Sequence, residues 1–547
     1  GIIVWVVRQK QNDSADYFLG GRDATWLAIG ASIFASNIGS EHLIGLAGAG
    51  ASSGMAMAHW EIQGWMILIL GWVFVPFYTR SMVYTMPEFL ERRYNPQSRT
   101  ILSVISLVSY VLTKVAVTVY AGGLVFQQVF GIKELWGIDF FWIAAIGLVV
   151  LTALYTIFGG MKSVLYTSVL QTPILLLGSL IILVLGFKEL GGWDEMMRVC
   201  GAVTVNDYGD TMTNLIRSND DANFPWLGAL IGSAIIGFWY WCTDQFIVQR
   251  VLSGKNEMEA RRGTIFGAYL KLLPVFLFLI PGMIAFALHQ KYIGAGGEGF
   301  LPMLANGTAN ADAAFPTLVA KLLPAGVKGL VVCGILAALM SSLASLFNSS
   351  AMLFTIDFYK RFKPETPEKK LVGIGQIATI VIVVLGILWI PIMRSVGDVL
   401  YTYLQDVQSV LAPGIAAAFL LGICWKRTSA QGGMWGLISG MVIGLTRLGA
   451  KVYYSNAGEV ADSTFKYLFY DMNWLFFCGW MFLFCIIVVI VVSLATEAPT
   501  AEKIQGLVFG TATKEQKAST RASWNHWDII HTVIILAITG AFYWYFW

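Results

Sequence analysis

The sequence predicts an all-α protein that crosses a membrane many times, and its composition and hydropathy together predict this class. Of the 547 residues, 57% are hydrophobic and 13% are charged, which is about half the charged share of a soluble domain. Apolar runs long enough for a helix to span a bilayer recur along the chain. Thirteen such runs are predicted, at 24–52, 56–80, 99–130, 137–158, 163–188, 224–250, 262–289, 326–359, 369–393, 397–425, 430–450, 471–495 and 526–547.

The charge balance and the cysteines exclude other classes of protein. A formal net charge of +3 offers no basic surface for a nucleic acid, so no nucleic-acid partner is expected. The six cysteines contain no CxxC pair, and we expect buried apolar side chains, neither disulfides nor metal ligands. The apolar run 1–7 is too short to span, and we expect it to end a first helix that begins before this sequence.

Basic residues set the expected orientation in the membrane. They concentrate in alternate loops, which include Arg92-Arg93, Arg261-Arg262 and Lys369-Lys370. Because cytoplasmic loops carry the excess of Lys and Arg, these loops and the segment before residue 24 are predicted to face the cytoplasm. The segment 191–223 is then extracellular. We expect a multi-pass protein of the plasma membrane, or of the inner membrane in a bacterium.

The first predicted span carries unusual polarity for a membrane helix. The run Gly30–His42 contains three serines, an amide, a carboxylate and an imidazole among its apolar residues. Lipid offers no hydrogen-bond partners, so such groups are tolerated only where protein or a water-filled site surrounds them. Secondary transporters break helices at this depth and thereby free backbone carbonyls for an ion. The run therefore predicts a broken helix beside a binding site.

The span 326–359 is rich in small hydroxyl residues. Ser341, Ser345 and Asn348 are spaced to share one face of a helix. Close helix packing through small residues is one explanation, and a site for a hard cation is the other. The paired hydroxyls of Ser341 and Ser342, with carbonyls freed near Ala35 and Ile38, would suit sodium better than a doubly charged ion, which normally requires carboxylates.

Ionisable residues inside predicted spans are few and costly, at about 2.5–3.5 kcal/mol each at the bilayer centre. Glu61 and Lys271 lie near the middles of their spans and favour a solvated site over a purely structural ion pair. For Lys114, bonding between helices and a place in a binding site are equally favoured. For Asp244, a local ion pair is favoured over substrate contact. The full set of candidates is Glu41, Glu61, Lys114, Asp244, Lys271 and Asp406.

Aromatic residues cluster in the middle of the span 224–250, in the run Phe238–Gln245. Aromatic side chains are expected at the bilayer interfaces rather than at this depth. Together with nearby donors and acceptors they are typical of a sugar site, where rings stack on C–H faces and polar groups bind hydroxyls. Gln405 would add a neutral amide. Simple core packing is the alternative explanation.

Several motifs resemble those of the sodium/solute symporter family, and within it the sodium/glucose (galactose) cotransporters. The resemblance covers essentially the whole chain and implies fourteen helices with the inverted five-helix repeat of the leucine-transporter fold. The implied segments are 1–23, the repeat 24–190, the loop 191–223, the repeat 224–425, and the C-terminal helices and cytoplasmic loop at 426–547. The motifs are Gly30-Ala-Ser-Ile-Phe-Ala-Ser-Asn-Ile-Gly-Ser40, Met86-Pro-Glu-Phe-Leu-Glu-Arg-Arg93, Tyr155-Thr-Ile-Phe-Gly-Gly160, Trp239-Tyr-Trp-Cys-Thr-Asp-Gln245, Ile247-Val-Gln-Arg250, Met340-Ser-Ser-Leu-Ala-Ser345 and Trp425-Lys-Arg427.

The resemblance also implies site residues, matched position by position. It assigns sodium to the carbonyls of Ala35, Ile38 and Ala338 and the hydroxyls of Ser341 and Ser342. It assigns the sugar to Asn37, His42, Glu61, Tyr240, Trp241, Lys271 and Gln405. The gates it implies are Tyr240 on the inner side and Leu46, Trp60 and Tyr401 on the outer side.

Two positions depart from relatives that bind a second sodium ion. Ser168 stands where many relatives have an acidic residue, and Ala344 stands where relatives with a second site have Thr. Both changes remove oxygen ligands. One sodium ion per sugar is therefore expected.

The function expected from the sequence is sodium-coupled symport of a hexose, glucose or galactose, by alternating access. A sodium/myo-inositol symporter is the alternative, since a cyclitol offers the same rim of hydroxyls. An enzyme would need a nucleophile and base or a metal cluster, and no pair of the five histidines has ligand spacing. A passive channel would need a continuous polar stripe, whereas the polarity here concentrates at one depth. The expected partners are a small neutral sugar, the lipid bilayer and co-transported sodium, with no organic cofactor.

Overall fold

The computed structural model describes residues 13–39, 41–304, 307–394, 400–456 and 461–547. Within these ranges the regular structure is helical except for one short antiparallel pair of strands, Glu134–Leu135 with Ile138–Asp139. The helices, with their 3₁₀ and π-helical turns, are Ser14–Leu19, Gly20–Arg22, Trp26–Asn37, Glu41–Leu46, Ala47–Ser53, Gly54–Met57, Ala58–Glu61, Gly64–Ile69, Leu70–Phe74, Val75–Ser81, Met86–Arg93, Pro96–Ser109, Tyr110–Val115, Ala116–Phe130, Phe140–Leu190, Trp193–Gly201, Trp226–Gly237, Phe238–Thr243, Gln245–Leu252, Glu257–Lys271, Val275–Leu279, Ile280–Gly294, Ala311–Ala313, Ala314–Leu322, Ala325–Met352, Leu353–Tyr359, Lys360–Phe362, Glu368–Arg394, Leu400–Cys424, Ala430–Asn456, Thr464–Lys466, Tyr467–Asp471, Trp474–Ala495, Ala501–Ile504, Lys514–Ala522 and His526–Tyr545.

Membrane-spanning length is common among these helices. Nine helical stretches of the described residues are long and apolar enough to cross a bilayer, and three further apolar helices are shorter. Each of the thirteen apolar runs predicted from the sequence coincides with helical structure. The prediction of a polytopic helical protein is therefore confirmed.

Two predicted spans, 137–158 and 163–188, meet without a loop and form the continuous stretch Phe140–Leu190. The boundary between them is a sharp kink at Gly160, where φ is 53° and ψ is −153°. A Cβ atom at this position would lie 2.5 Å from the carbonyl oxygen of Tyr17. Glycine is needed here for both reasons, since only glycine adopts this conformation readily and lets another backbone approach so closely.

The first predicted span is broken, as its polarity indicates. The helix Trp26–Asn37 ends at Ile38, whose φ of −81° and ψ of 96° are extended. Helical structure resumes in the π-helical turn Glu41–Leu46 and continues through Ala47–Ser53. The break leaves backbone groups near Ile38 outside the helical hydrogen-bond ladder.

A second break was not predicted. It lies between the helices Ala58–Glu61 and Gly64–Ile69, where Ile62 and Gln63 have ψ values of 22° and 24°. A third break follows the aromatic π-helical turn Phe238–Thr243, because Asp244 has an extended ψ of 128°.

The helix Trp26–Asn37 packs closely against the helix Glu257–Lys271. A Cβ atom at Gly30 would lie 2.8 Å from the carbonyl oxygen of Gly263, so glycine allows this approach. Asn37 and Lys271 are the last residues of their two helices. Packing at Gly30 therefore brings both C-terminal side chains to the same region of the interior.

The cysteines are free thiols, but they are not uniformly buried. Cys200, Cys242, Cys478 and Cys485 are buried, as expected, whereas Cys333 and Cys424 are exposed on apolar helices. The expectation of six buried side chains is therefore wrong at two positions. Hydropathy alone does not distinguish a helix face that meets lipid from one that meets protein.

Candidate substrate cavity and ion site

The three broken helices meet around a cavity of about 40 Å³. Small-molecule sites typically have volumes of about 300–1,000 Å³, so the site must widen before it holds a solute. Apart from Ile236, Gly237 and the two tryptophans, every lining side chain offers a polar or charged group along with its apolar stem. The lining residues are Asn37, Glu41, His42, Trp60, Glu61, Gln63, Ile236, Gly237, Tyr240, Trp241, Lys271, Gln405 and Gln408. All seven predicted sugar-site residues are among them.

One side of the cavity, the charged wall, consists of His42, Glu61 and Lys271. Oε2 of Glu61 accepts a hydrogen bond from Nζ of Lys271 at 2.6 Å and another from Nε2 of His42 at 3.1 Å. Glu61 is 1% exposed and Lys271 is 4% exposed. A buried charge pair is tolerated when it is well hydrogen-bonded, and this one is. Glu61 and Lys271 thus form an ion pair and also line a cavity. The two explanations considered from the sequence, a site and an ion pair, are therefore compatible.

Asn37 links the charged wall to the aromatic cluster. Its Oδ1 accepts from Nζ of Lys271 at 3.3 Å, and its Nδ2 donates to the hydroxyl of Tyr240 at 3.1 Å. The rings of Tyr240 and Trp241 pack edge to face with centroids 4.9 Å apart. The ammonium of Lys271 lies 5.4 Å from the Trp241 ring centroid, within the range of a cation–π contact.

Three further lining residues carry neutral amides, Gln63, Gln405 and Gln408, and are called the amide wall. Sequence reasoning found only Gln405. Gln408 lies three residues further along the same helix and could have been found from that spacing. Gln63 lies two residues after Glu61, a spacing that points to opposite faces of a regular helix, so only the break at Ile62–Gln63 explains its position. Glu41, an intramembrane candidate with no role assigned from the sequence, also lines the cavity, and Ile236 and Gly237 line it and were missed.

The predicted gate residues lie in different environments. Trp60 and Tyr240 both line the cavity, and Trp60 stacks on Trp474 with ring centroids 5.6 Å apart. Leu46 is fully buried just beyond the first break. Tyr401 lies outside the part of the chain whose side chains are described, so its gate role stays a prediction.

Lys114 and Asp244 form an ion pair next to the cavity, 2.7 Å apart. The hydroxyl of Tyr110 also donates to Asp244, and the Lys114 ammonium lies 4.5 Å from the Tyr240 ring centroid. Bonding between helices, one of two possibilities for Lys114, is confirmed, as is the ion pair expected of Asp244. Asp406, the last intramembrane candidate, pairs with Lys451.

A second polar region, the serine cluster, lies beside the first break and consists of Ser36, Ser168, Ser341, Ser342 and Ser345. The Ser342 hydroxyl donates to the carbonyls of Ser36 at 3.0 Å and Ile38 at 3.4 Å. The hydroxyls of Ser36 and Ser345 are 2.6 Å apart. The structure therefore brings the serine-rich helix Ala325–Met352 against the broken helix.

The remaining predicted sodium ligands lie close to these contacts. Ala338 is one helical turn before Ser342, and Ala35 is three residues before Ile38; both are buried. The Ser341 hydroxyl lies 3.3 Å from that of Ser168. Ser168 thus offers a neutral hydroxyl oxygen beside Ser341, and Ala344, fully buried, offers none.

Residues 17–440 match the model of the sodium:solute symporter family. The chain belongs to this family. Among its relatives, the human sodium/myo-inositol cotransporter 2 is 36% identical over 518 residues, which cover 92% of this chain and 76% of the relative. The sodium/myo-inositol cotransporter of Canis lupus familiaris is 37% identical over 525 residues, which cover 92% and 72%.

Solved structures show the same fold. A substrate-bound, outward-open sodium-coupled sialic acid symporter superposes with a TM-score of 0.72 at 22% identity, covering 91% of this chain and 96% of that one. The transporter MhsT in complex with L-phenylalanine gives a TM-score of 0.50 at 12% identity, covering 86% and 99%. The leucine-transporter fold is therefore confirmed. The protein is a multi-pass, sodium-coupled solute symporter, and sodium is its co-transported ion.

Proposed function

We propose that the protein couples sodium entry to uptake of a small neutral polyol, and that this polyol is myo-inositol or a close cyclitol. The observation that carries the proposal is the identity of 36–37% with sodium/myo-inositol cotransporters across 92% of the chain. It favours the cyclitol, the alternative weighed from the sequence, over the hexose that was the main expectation.

The chemistry of the cavity supports a neutral substrate. Lys271 is paired with Glu61, which also bonds His42, so this ammonium is already matched and is not available to an anionic solute. Glu41 is a further carboxylate in the lining. Bringing an unpaired charge to such a buried site would be strongly unfavourable. The amide wall supplies neutral donors and acceptors, which match hydroxyl groups.

A hexose remains the second candidate, because the cavity also presents aromatic side chains. Trp241 and Tyr240 line it, and aromatic rings can stack on the C–H faces of a pyranose. Glucose and galactose therefore belong in every comparison of substrates.

We place the sodium ion at the carbonyls of Ala35, Ile38 and Ala338 and the hydroxyls of Ser341 and Ser342. The support is the contact of Ser342 with the carbonyls at the break, which gathers neutral oxygens from two helices. Neutral oxygens suit a monovalent ion, whereas a divalent ion normally requires carboxylates. In the described part of the chain, no group of three or more His, Cys, Asp or Glu could hold a metal.

Alternating access would move the gates about this central cavity. Trp60, Leu46 and Tyr401 would close it on the outer side, and Tyr240 on the inner side. The inverted repeats 24–190 and 224–425 are the units proposed to move relative to each other.

Uptake into proteoliposomes tests the function. With an inward sodium gradient, labelled myo-inositol should accumulate, glucose and galactose should accumulate less, and a potassium gradient should drive none of them. Sialic acid serves as a charged control and should not be taken up. Sodium-independent equilibration of myo-inositol would contradict symport, and preferred uptake of glucose would restore the hexose as substrate.

One sodium ion should move with each polyol, because a second sodium site would lack two oxygen ligands. Ser168 provides no carboxylate, and Ala344 provides no hydroxyl. One ion crossing about 100 mV releases about 2.3 kcal/mol, and a tenfold gradient adds about 1.4 kcal/mol. Together they support accumulation of about 500-fold. The ratio of charge to substrate flux at a clamped potential should be near one. A ratio near two would require a further ion site.

A further inference from the structure

Gln63 reaches the cavity because the helix is broken at this residue. Glu61 and Gln63 both line the cavity, although they are two residues apart. In a regular α-helix, residues two apart point about 200° from each other. The non-helical ψ values of Ile62 and Gln63, 22° and 24°, turn both side chains inward.

The side-chain amide of Gln63 occupies the space next to Gly237. A Cβ atom at position 237 would need the same space. A Cβ atom at Gly237 would lie 2.5 Å from Oε1 of Gln63, 2.9 Å from its Cδ and 3.0 Å from its Nε2. The amide therefore lies against the glycine backbone. Gln63 is 3% exposed, so its amide has little freedom to move elsewhere.

The orientation of this amide is fixed by a hydrogen bond. Its Nε2 donates to the carbonyl oxygen of Ser233 at 2.8 Å. A carbonyl only accepts, so the nitrogen must face Ser233. Among the described residues no donor bonds to Oε1, which remains as a fixed acceptor in the wall of the cavity.

The other two amides differ in this respect. Gln405 and Gln408 make no hydrogen bond with any described residue, so either amide can turn to present its oxygen or its nitrogen. Gln63 is therefore the member of the amide wall that discriminates between a hydroxyl and a bare oxygen on the substrate.

We propose that Gln63, held against Gly237, is a specificity-determining residue that accepts a hydrogen bond from a ring hydroxyl of a cyclitol. This inference rests on the proposed function. Every ring carbon of a cyclitol carries a hydroxyl that can donate to Oε1. A pyranose also carries hydroxyls, but its ring oxygen only accepts, so a pyranose bound with that oxygen towards Oε1 makes no such hydrogen bond.

The test compares Gln63→Leu and Gly237→Ala with Gln376→Leu in the full chain reconstituted in proteoliposomes. Leucine at 63 removes the acceptor at similar size, and alanine at 237 pushes the amide out of its place. Gln376 is the matched control, because its Nε2 also donates to a backbone carbonyl, that of Ile157 at 3.0 Å, and it does not line the cavity. Half-saturating concentrations of labelled myo-inositol, glucose and sodium are measured for each.

Both cavity variants should raise the half-saturating concentration of myo-inositol about fivefold to tenfold, the effect of losing one neutral hydrogen bond. The half-saturating concentrations of glucose and sodium should change less than about twofold, so the preference for myo-inositol over glucose falls. Gln376→Leu should leave the preference unchanged. Equal weakening of both substrates, or an unchanged preference, would overturn the inference.

The wild-type protein separates this inference from the proposed function. If it does not transport myo-inositol with sodium, the proposed function fails before any variant is compared. If it does, and Gln63→Leu does not reach the membrane, Gly237→Ala decides: a reduced preference supports the inference and an unchanged preference overturns it.

Discussion

The cavity and the serine cluster both lie beside the break at Ile38, yet they are built from different chemistry. The cavity holds buried charges, and Glu61 accepts from both Lys271 and His42. The serine cluster holds neutral hydroxyls that bond to one another and to carbonyls, as Ser342 does with Ser36. Both regions are almost inaccessible to solvent.

The difference matches the ligand that we propose for each region. A cation carries its own charge, and neutral oxygens can replace its hydration shell. Because these oxygens add no net negative charge, the ion can also be released. A neutral polyol carries no charge, so the charges around it must already balance one another. Charge-assisted hydrogen bonds to such a pair are about twice as strong as neutral ones, which gives a neutral substrate firm contacts.

Removing one charge from the cavity is expected to have the largest effect. Glu61→Gln leaves Lys271 buried without its counter-charge, which lowers folding stability by about 3–5 kcal/mol, and it removes a charged acceptor worth about 1.5–3 kcal/mol to a bound hydroxyl. Affinity for myo-inositol should fall by about a hundredfold or more, while sodium binding without substrate survives. Equilibrium binding of each ligand measures both. Glu195→Gln, in the exposed pair with Arg198, is the control and should change neither. Loss of sodium binding with retained polyol affinity would reverse the two assignments.

Removing one neutral oxygen from the serine cluster should affect the other ligand. Ser342→Ala deletes a hydroxyl that we assign to sodium, and a hydrogen bond or contact to a charged group is worth about 1.5–3 kcal/mol. The sodium concentration for half-maximal uptake should rise about tenfold or more, with polyol affinity at saturating sodium little changed. Ser350→Ala, a buried serine on the same helix, is the control. Full uptake at low sodium in Ser342→Ala would contradict the assignment.

A smaller effect is expected where the hydroxyl stays but moves. A Cβ atom at Gly39 would lie 2.7 Å from Oγ of Ser342, so Gly39→Ala must displace that side chain. Sodium affinity should fall about threefold, less than in Ser342→Ala, because a hydrogen-bonding group is weakened rather than lost. Gly147→Ala, where a Cβ atom meets nothing within 4 Å, should have no effect in the same uptake assay.

The smallest effect is expected for the hydroxyl of Tyr240. Tyr240→Phe removes the bond from Asn37 and keeps the ring, so polyol affinity should fall only about twofold, the effect of a hydrogen bond worth about 0.5 kcal/mol. Tyr240→Ala also removes the ring and its contact with Trp241, and it should be far more severe. Equal and complete loss in both variants would mean that the hydroxyl holds a gate and that the ring does not bind substrate.

The positions of the spans could be predicted because each span is one contiguous apolar run in the sequence. The break near Ile38 could be predicted too, since polar residues in the run Gly30–His42 have no partners in lipid. The joining of two spans at Gly160 could not, because it depends on the approach of Tyr17 from another segment.

The charged residues of the cavity were visible because an ionisable group in a span is rare. Gln63 was not, since a glutamine near a span carries no such signal and its inward direction depends on backbone angles. The serine pattern alone did not decide between packing and ion binding. The contact of Ser342 with the carbonyl of Ile38, across two distant parts of the chain, supports the proposed ion site and could not be read from the pattern.

Asn37 and Ile38 are consecutive, so one peptide plane and the backbone bonds of Ile38 are all that separate a side chain of the cavity from a carbonyl of the serine cluster. A ligand that draws in the Ile38 carbonyl can turn that plane and move the Cα atom from which the Asn37 side chain extends. Thermodynamic linkage then sets an equality: sodium must strengthen polyol binding by the same factor by which the polyol strengthens sodium binding. Cooperativity between cargo and driving ion can thus arise within one residue step, without a long chain of intermediates.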